Sequence, residues 1–271
     1  MSTFPAVAKV DSAATLRTFM TVASVGAAAM VLADLVHEVL GHGTASLLTG
    51  NRILSISTVA IQTAAASRLV SAAGTTANCV VGSLALLLSG RLKKLTPLAL
   101  FWWLFGVFNL LNSGYLVASA ALNTSDWANV IAGMSQLWLL RCIMGLVGAA
   151  FYYLSVVWAA RLMIRWVENG EMGLSDLGRL TVPAYLAAGV IMTVASLFNP
   201  IGPQLIISSG AAASFGLNAG LLFIPGIVAQ HARTHSPVTN PLRLSFFWVA
   251  LALLTGGLFV AVLGPGVHFS N

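Results

Sequence analysis

Long apolar stretches, each closed off by a few polar or turn-forming residues, set the pattern of this chain. A helix needs about 20 predominantly apolar residues to cross a bilayer. Seven stretches meet that length or come close to it, at roughly 18–48, 68–90, 96–122, 137–164, 180–198, 204–230 and 244–263. The first is too long for one perpendicular helix, because at ~1.5 Å per residue it overshoots a core of ~30 Å. It must tilt, break or emerge, and Gly41 and Gly43 are the places where a break is expected. Between the first two stretches, NRILSISTVAIQTAAAS changes period. Ile53, Ser55, Ser57, Val59 and Ile61 share one parity and β-branched residues are frequent, which predicts a short strand or hairpin near 53–61, or an irregular interfacial loop. Helices in lipid satisfy their own backbone, so the pattern predicts an all-α polytopic membrane bundle of six or seven helices. It forms a single transmembrane domain over 1–271, with no soluble domain and no internal repeat.

Composition narrows the class. Charged residues make up 7% of the chain and hydrophobic ones 58%, whereas a soluble domain carries roughly a quarter charged. The chain reads as an integral membrane protein in direct contact with the lipid bilayer. Its net charge of +6 does not point to nucleic acid, because no basic run exceeds Arg91-Leu-Lys93-Lys94. With seven spans and the N-terminus inside, Lys9, Arg17, Arg91, Lys93, Lys94, Arg161, Arg165, Arg179, Arg233 and Arg243 collect on one side. Arg52, Arg68 and Arg141 fall on the other. That bias predicts a cytoplasmic N-terminus and an outside C-terminus. Cys79 and Cys142 both sit in apolar runs and suggest neither a disulfide framework nor a thiolate metal site. No cleavable signal peptide is expected, since the first sixteen residues are mixed and polar.

Candidate chemistry concentrates in HEVLGHG, residues 37–43. Asp34, His37, Glu38 and His42 fall within nine residues of an apolar run, and ionisable groups inside a span are costly and usually functional. The stretch resembles the zinc-protease signature H-E-x-x-H, in which histidines four apart lie about 40° apart on a helix and ligate one ion. Here His37 and His42 are five apart, about 140° on an ideal α-helix, and do not converge. Two local changes bring them together: a π-bulge that absorbs one residue, or a helix end at Gly41 that lets His42 swing back. A third arrangement uses Asp34, Glu38 and His42 at helical spacing as a metal face or proton relay. Three readings stay open: a metal site, a proton or ion pathway, and a structural polar cluster.

Residues 36–50, VHEVLGHGTASLLTG, resemble the first core helix of the site-2 protease family of membrane-embedded zinc metallopeptidases. AGTTAN at 73–78 resembles that family's A-G-P-x-A-N element, with Thr75 in place of proline, and FNLL at 108–111 resembles the start of its third element. The resemblance covers roughly residues 30–130. It implies a metallopeptidase-like core over about 18–135, with additional helices over about 137–263. The aspartate that completes the family's ligand set would fall near Val117, where no acid stands; the next acid is Asp126, in LNTSDWANV. Asp126 also reads as a helix N-cap before Trp127 or as a partner of Arg141. The charge-based topology puts the Asp126 loop on the same side as the end of the first span. It also puts the site nearer the outside, whereas the family's site generally lies nearer the cytosol.

The resemblance implies Zn²⁺ held by His37, His42 and Asp126, with Glu38 as the catalytic base. Asn78 and Asn109 would be possible oxyanion or substrate contacts, and interhelical hydrogen bonding is the competing reading of both. The implied substrate is a membrane protein or peptide, unwound locally and paired to the strand-like segment 53–61. Three alternatives remain. A proton- or ion-coupled transporter would use Asp34, His37 and Glu38. A seven-helix zinc lipid amidase would use His231 and His235, four residues apart. An inactive relative would keep the fold without the chemistry. Asn199, in the turn FNPIGPQ, falls on the same face as Asp126, and the small residues of 208–220 predict close helix packing.

Overall fold

A computed structural model describes residues 12–200, 206–233 and 242–269. Seven helical segments are long and apolar enough to cross a membrane: Ser12–Leu48, Arg68–Ser89, Pro97–Leu122, Leu137–Glu168, Leu174–Ser196, Ala213–His231 and Phe246–Leu263. Their starts follow from local chemistry. Ser67 Oγ accepts from Val70 N at the head of the second span, and Thr96 Oγ1 accepts from Ala99 N beside Pro97 at the head of the third. Both are side-chain caps on otherwise orphaned helix donors. The third span is kinked: Pro97–Leu111 stops at Asn112 and Gly114–Leu122 resumes after Ser113.

The first span is the hub, packed against the second, third, fifth and seventh. Its face of Val22, Val25, Ala28 and Ala29 is fully buried, as are Leu86, Trp103, Phe108 and Leu180 of its neighbours. Trp103 donates its indole N–H to Ala159 O at 3.0 Å, so the largest core side chain carries no unmet donor. Leu47, Leu48, Trp138, Leu146, Phe246 and Leu253 are exposed on the outside of the bundle, as lipid-facing positions of a multi-pass membrane protein are. Small residues let helices close up in the way expected of 208–220. A Cβ on Gly220 would lie 2.7 Å from the Tyr152 hydroxyl and 2.8 Å from Leu111 Cδ2. The described part of that stretch stays helical, π-helical over Ile206–Leu217 and α-helical over Gly220–His231.

The first span does not break. Gly43 keeps helical dihedrals (φ −60°, ψ −51°) and Thr44 follows in the same region. Instead the backbone widens into a π-helix over Val36–Gly43. The segment after it forms the expected hairpin, β1 (Ile53–Ile56) and β2 (Ile61–Thr63), antiparallel with a bulge between Ile53 and Ser55. The turn falls inside the alternating region 53–61: Ser57 N donates to Ala60 O at 3.0 Å, and Ser57 Oγ accepts from Ala60 N. A short β3 (Val267–His268) pairs antiparallel with the other edge of β1, Ser55 opposite His268. The strand order β2-β1-β3 therefore leaves one edge of β2 without a strand partner among the described residues.

Candidate metal centre

A π-helix bonds each N–H to the carbonyl five residues back, so residues five apart share a face. Over Val36–Gly43 this turns His42 onto the side of His37. Their Nε2 atoms lie 3.2 Å apart and the rings meet edge to face at 84°. The third group arrives from the connection between the third and fourth spans. Asn123 adopts the left-handed conformation (φ 55°) and ends one helix, and a short helix, Ser125–Ile131, carries Asp126 in its first turn. Asp126 Oδ2 stands 3.2 Å from His37 Nε2 and 3.3 Å from His42 Nε2. Neither simpler role for Asp126 is realised. Thr124 holds the cap position, and Arg141 donates instead to Ala120 O and Ala121 O, at 2.7 and 2.9 Å.

Two glycines make the room. A Cβ on Gly41 would lie 2.6 Å from Gly74 Cα, and a Cβ on Gly74 would lie 2.6 Å from His42 Nε2 and 2.7 Å from His37 Nε2. Gly74 belongs to AGTTAN, so that element serves the histidines by having no side chain at this point. Behind the rings, hydrogen bonds fix the tautomers. Asn109 donates to Phe105 O at 2.7 Å, so its Oδ1 accepts from Asn78 Nδ2 at 2.7 Å. Asn78 Nδ2 also donates to Ala33 O at 3.0 Å. Asn78 Oδ1 is thereby left to accept from His37 Nδ1–H at 2.7 Å. His42 Nδ1–H donates to Val70 O at 2.6 Å. Each imidazole, when neutral, then presents a lone pair at Nε2. Asn78 and Asn109, read as possible oxyanion or substrate contacts or as interhelical hydrogen-bonding groups, are fully buried behind His37 with their amides bonded between helices.

With both imidazoles neutral, three acceptor atoms stand this close together and call for a cation between them; without one, a proton on an Nε2 pairs with Asp126. The donors around a tetrahedral ion with ligands at ~2.0–2.1 Å are about 3.3 Å apart, and the observed separations are 3.2, 3.2 and 3.3 Å. Glu38 stands beside them: one ligand atom each from His37, Glu38 and His42 lies within 4.8 Å of the others, and all three residues are buried. This group can hold a metal ion. Burial alone would push the Asp126 carboxyl up, but in the metal-free centre imidazoles carrying a proton at Nε2 donate to it, and their hydrogen bonds and charges outweigh burial and hold that carboxyl well below the ordinary carboxylate range. Asp126 is therefore ionised, as a ligand must be.

A cavity of ≈ 1050 Å³ opens onto the group, lined by His37, Glu38, His42 and Asp126 together with Ile61 and Thr63 of the hairpin. Tyr115, which the sequence did not single out, also lines it, with its ring 5.5 Å from that of His37. The only foreshadowing of Tyr115 was its place just after FNLL. Asn199 lines no part of this cavity. His231 is exposed and bonds Ile227 O, while His235 lies outside the described residues. No protein-family model, curated protein or solved structure matches this chain.

Proposed function

We propose that the chain is a membrane-embedded, zinc-dependent metallopeptidase. The observation that carries this reading is the triangle of His37 Nε2, His42 Nε2 and Asp126 Oδ2 with Glu38 beside it. His37, His42 and Asp126 would hold the ion. When bound, zinc supplies a Lewis acid for the scissile carbonyl and makes a water acidic near neutral pH. Glu38, on the cavity wall, takes the proton of the attacking water and passes it to the leaving amine. Asn78 and Val70 keep the two imidazoles in the ligating tautomer, the usual task of groups behind a metal site. The open edge of β2 borders the same cavity and offers backbone groups to an extended segment of a membrane protein or peptide substrate. A transmembrane helix hides its peptide bonds, so substrate enters locally unwound. In the cell the N-terminus is cytoplasmic and the site opens toward the outer face, following the basic loops.

The test is metal content of the detergent-purified protein by mass spectrometry. Wild type is expected to carry about one zinc per chain, His42→Ala to lose it, and Glu38→Gln to keep it while losing hydrolysis. Wild type that takes up no zinc after reconstitution ends this reading.

A further inference from the structure

Beside Glu38 lies a second and much smaller cavity, which Thr58 and Val59 of the hairpin turn help to line. Its volume is ≈ 30 Å³, room for about two waters or one ion of similar size. Four buried oxygens on its lining residues have no hydrogen-bond partner among the described residues: Asp34 Oδ2, Glu38 Oε2, Thr58 Oγ1 and Asn112 Oδ1. The four residues are 8%, 6%, 2% and 8% exposed. They come from separate elements: two from the first span, one from the hairpin turn and one from the kink of the third span. A buried polar group without a partner costs free energy, and a buried charge costs more. Native interiors rarely leave four such oxygens around one space unless something fills it.

The chemistry of the oxygens says what fits. Two are carboxylate, one is amide carbonyl and one is hydroxyl: hard oxygen donors of the kind that take hard cations, whereas the His37 ring and the Met30 and Met192 sulfurs on the same wall are not among the unpartnered atoms. No lysine or arginine lines the cavity. By contrast Asp176, also fully buried, has its own cation in Arg179 at 3.3 Å. Charge balance favours a monovalent ion, and this step rests on the metal reading above. A divalent ion at His37, His42 and Asp126 is neutralised by the carboxylates of Asp126 and Glu38. An ionised Asp34 would then leave a single negative charge in the bundle for a bound cation to balance. We propose that this chamber is a second cation site, binding one sodium ion through Asp34, Glu38, Thr58 and Asn112. The ion would tie the hairpin turn to the first and third spans and fix the far side of the Glu38 carboxylate.

The test is radioactive sodium binding to the purified full chain, run beside zinc content on the same samples, with potassium and choline as competitors. Wild type is expected to bind about one sodium per chain, displaced by cold sodium and not by choline. Asp34→Asn, close in shape and one charge less, is expected to weaken it about a hundredfold, and Thr58→Val about tenfold, with zinc unchanged in both. Should Asp34→Asn fail to fold, Thr58→Val carries the same comparison. Zinc-loaded wild type that binds no sodium between about pH 6 and pH 9 overturns the proposal, a proton on Asp34 or water alone then serving the chamber. Sodium binding that persists in His42→Ala keeps this site while the zinc reading is judged separately by its own metal content. Binding undiminished in both Asp34→Asn and Thr58→Val places the sodium elsewhere and also overturns it.

Discussion

At the scale of single residues, the centre depends on a side chain that is missing. Gly74 faces both imidazoles so closely that its Cβ would fall 2.6 Å from His42 Nε2. Gly74→Ala is expected to displace the rings and cost about 1–3 kcal/mol of stability as an overpacked contact. Zinc content should fall while the circular dichroism spectrum stays helical. Asn78 works from the other side. Asn78→Leu removes the acceptor that holds the His37 tautomer, and zinc affinity measured by chelator competition is expected to drop about 10–100-fold. How far these residues can be read in the sequence differs. His37, Glu38, His42 and Asp126 announce themselves because ionisable groups are scarce here, seven acids in the whole chain. Asn78 stood out as well, but its task was invisible: whether an amide faces a cavity or a ring is decided by its neighbours, here Asn109 and Ala33 O. The Val70 carbonyl that orients His42 has no side-chain signature at all.

Among the elements, the first span is distinctive because it carries one residue more than an α-helix allows between its histidines. The π-helix over Val36–Gly43 absorbs that residue and returns both flanks to a common face. Val39 and Leu40 sit on the outer side of the segment, 44% and 51% exposed. Deleting Leu40 is therefore expected to relax the segment to an ordinary α-helix with His37 and the shifted His42 four apart. Zinc content should be preserved and the thermal midpoint unchanged or higher, whereas inserting one alanine after Val39 should abolish zinc binding. Sequence spacing alone left the π-bulge and a helix end at Gly41 equally open. What decides is packing: Gly41 is pressed against Gly74 and Ala73 O, which holds the helix in place past the point where it might have ended. The hairpin was legible as alternation, but its turn at Ser57–Ala60 was not, because Ser57 closes it through its own side chain where a glycine signal would be expected.

For the whole molecule, the contacts between distant segments agree with seven crossings. β1 follows the first span and β3 the seventh, and they pair, so an even number of crossings separates them. At the opposite end Thr18 Oγ1 donates to Leu242 O at 2.9 Å, and Leu95 N donates to Glu171 Oε2 at 3.0 Å. The orientation proposed from the basic loops would put Lys93 and Lys94 inside and the hairpin outside. In a background lacking Cys79 and Cys142, Ala65→Cys is expected to react with an impermeant thiol reagent on intact cells. Lys94→Cys should react only after permeabilisation. The reverse pattern would turn the molecule over and put the site on the cytosolic face.

The pairing of Ser55 with His268 also sets an order in time. During synthesis the hairpin leaves the ribosome with only its own two strands to pair, and the strand that covers its other edge is made after six further spans. Pairings this far apart in the chain form late. Asp126 too is made after the histidines, following two more crossings. A nascent chain thus holds its histidines and Glu38 well before the surrounding sheet is complete, and the group comes together only as the bundle closes.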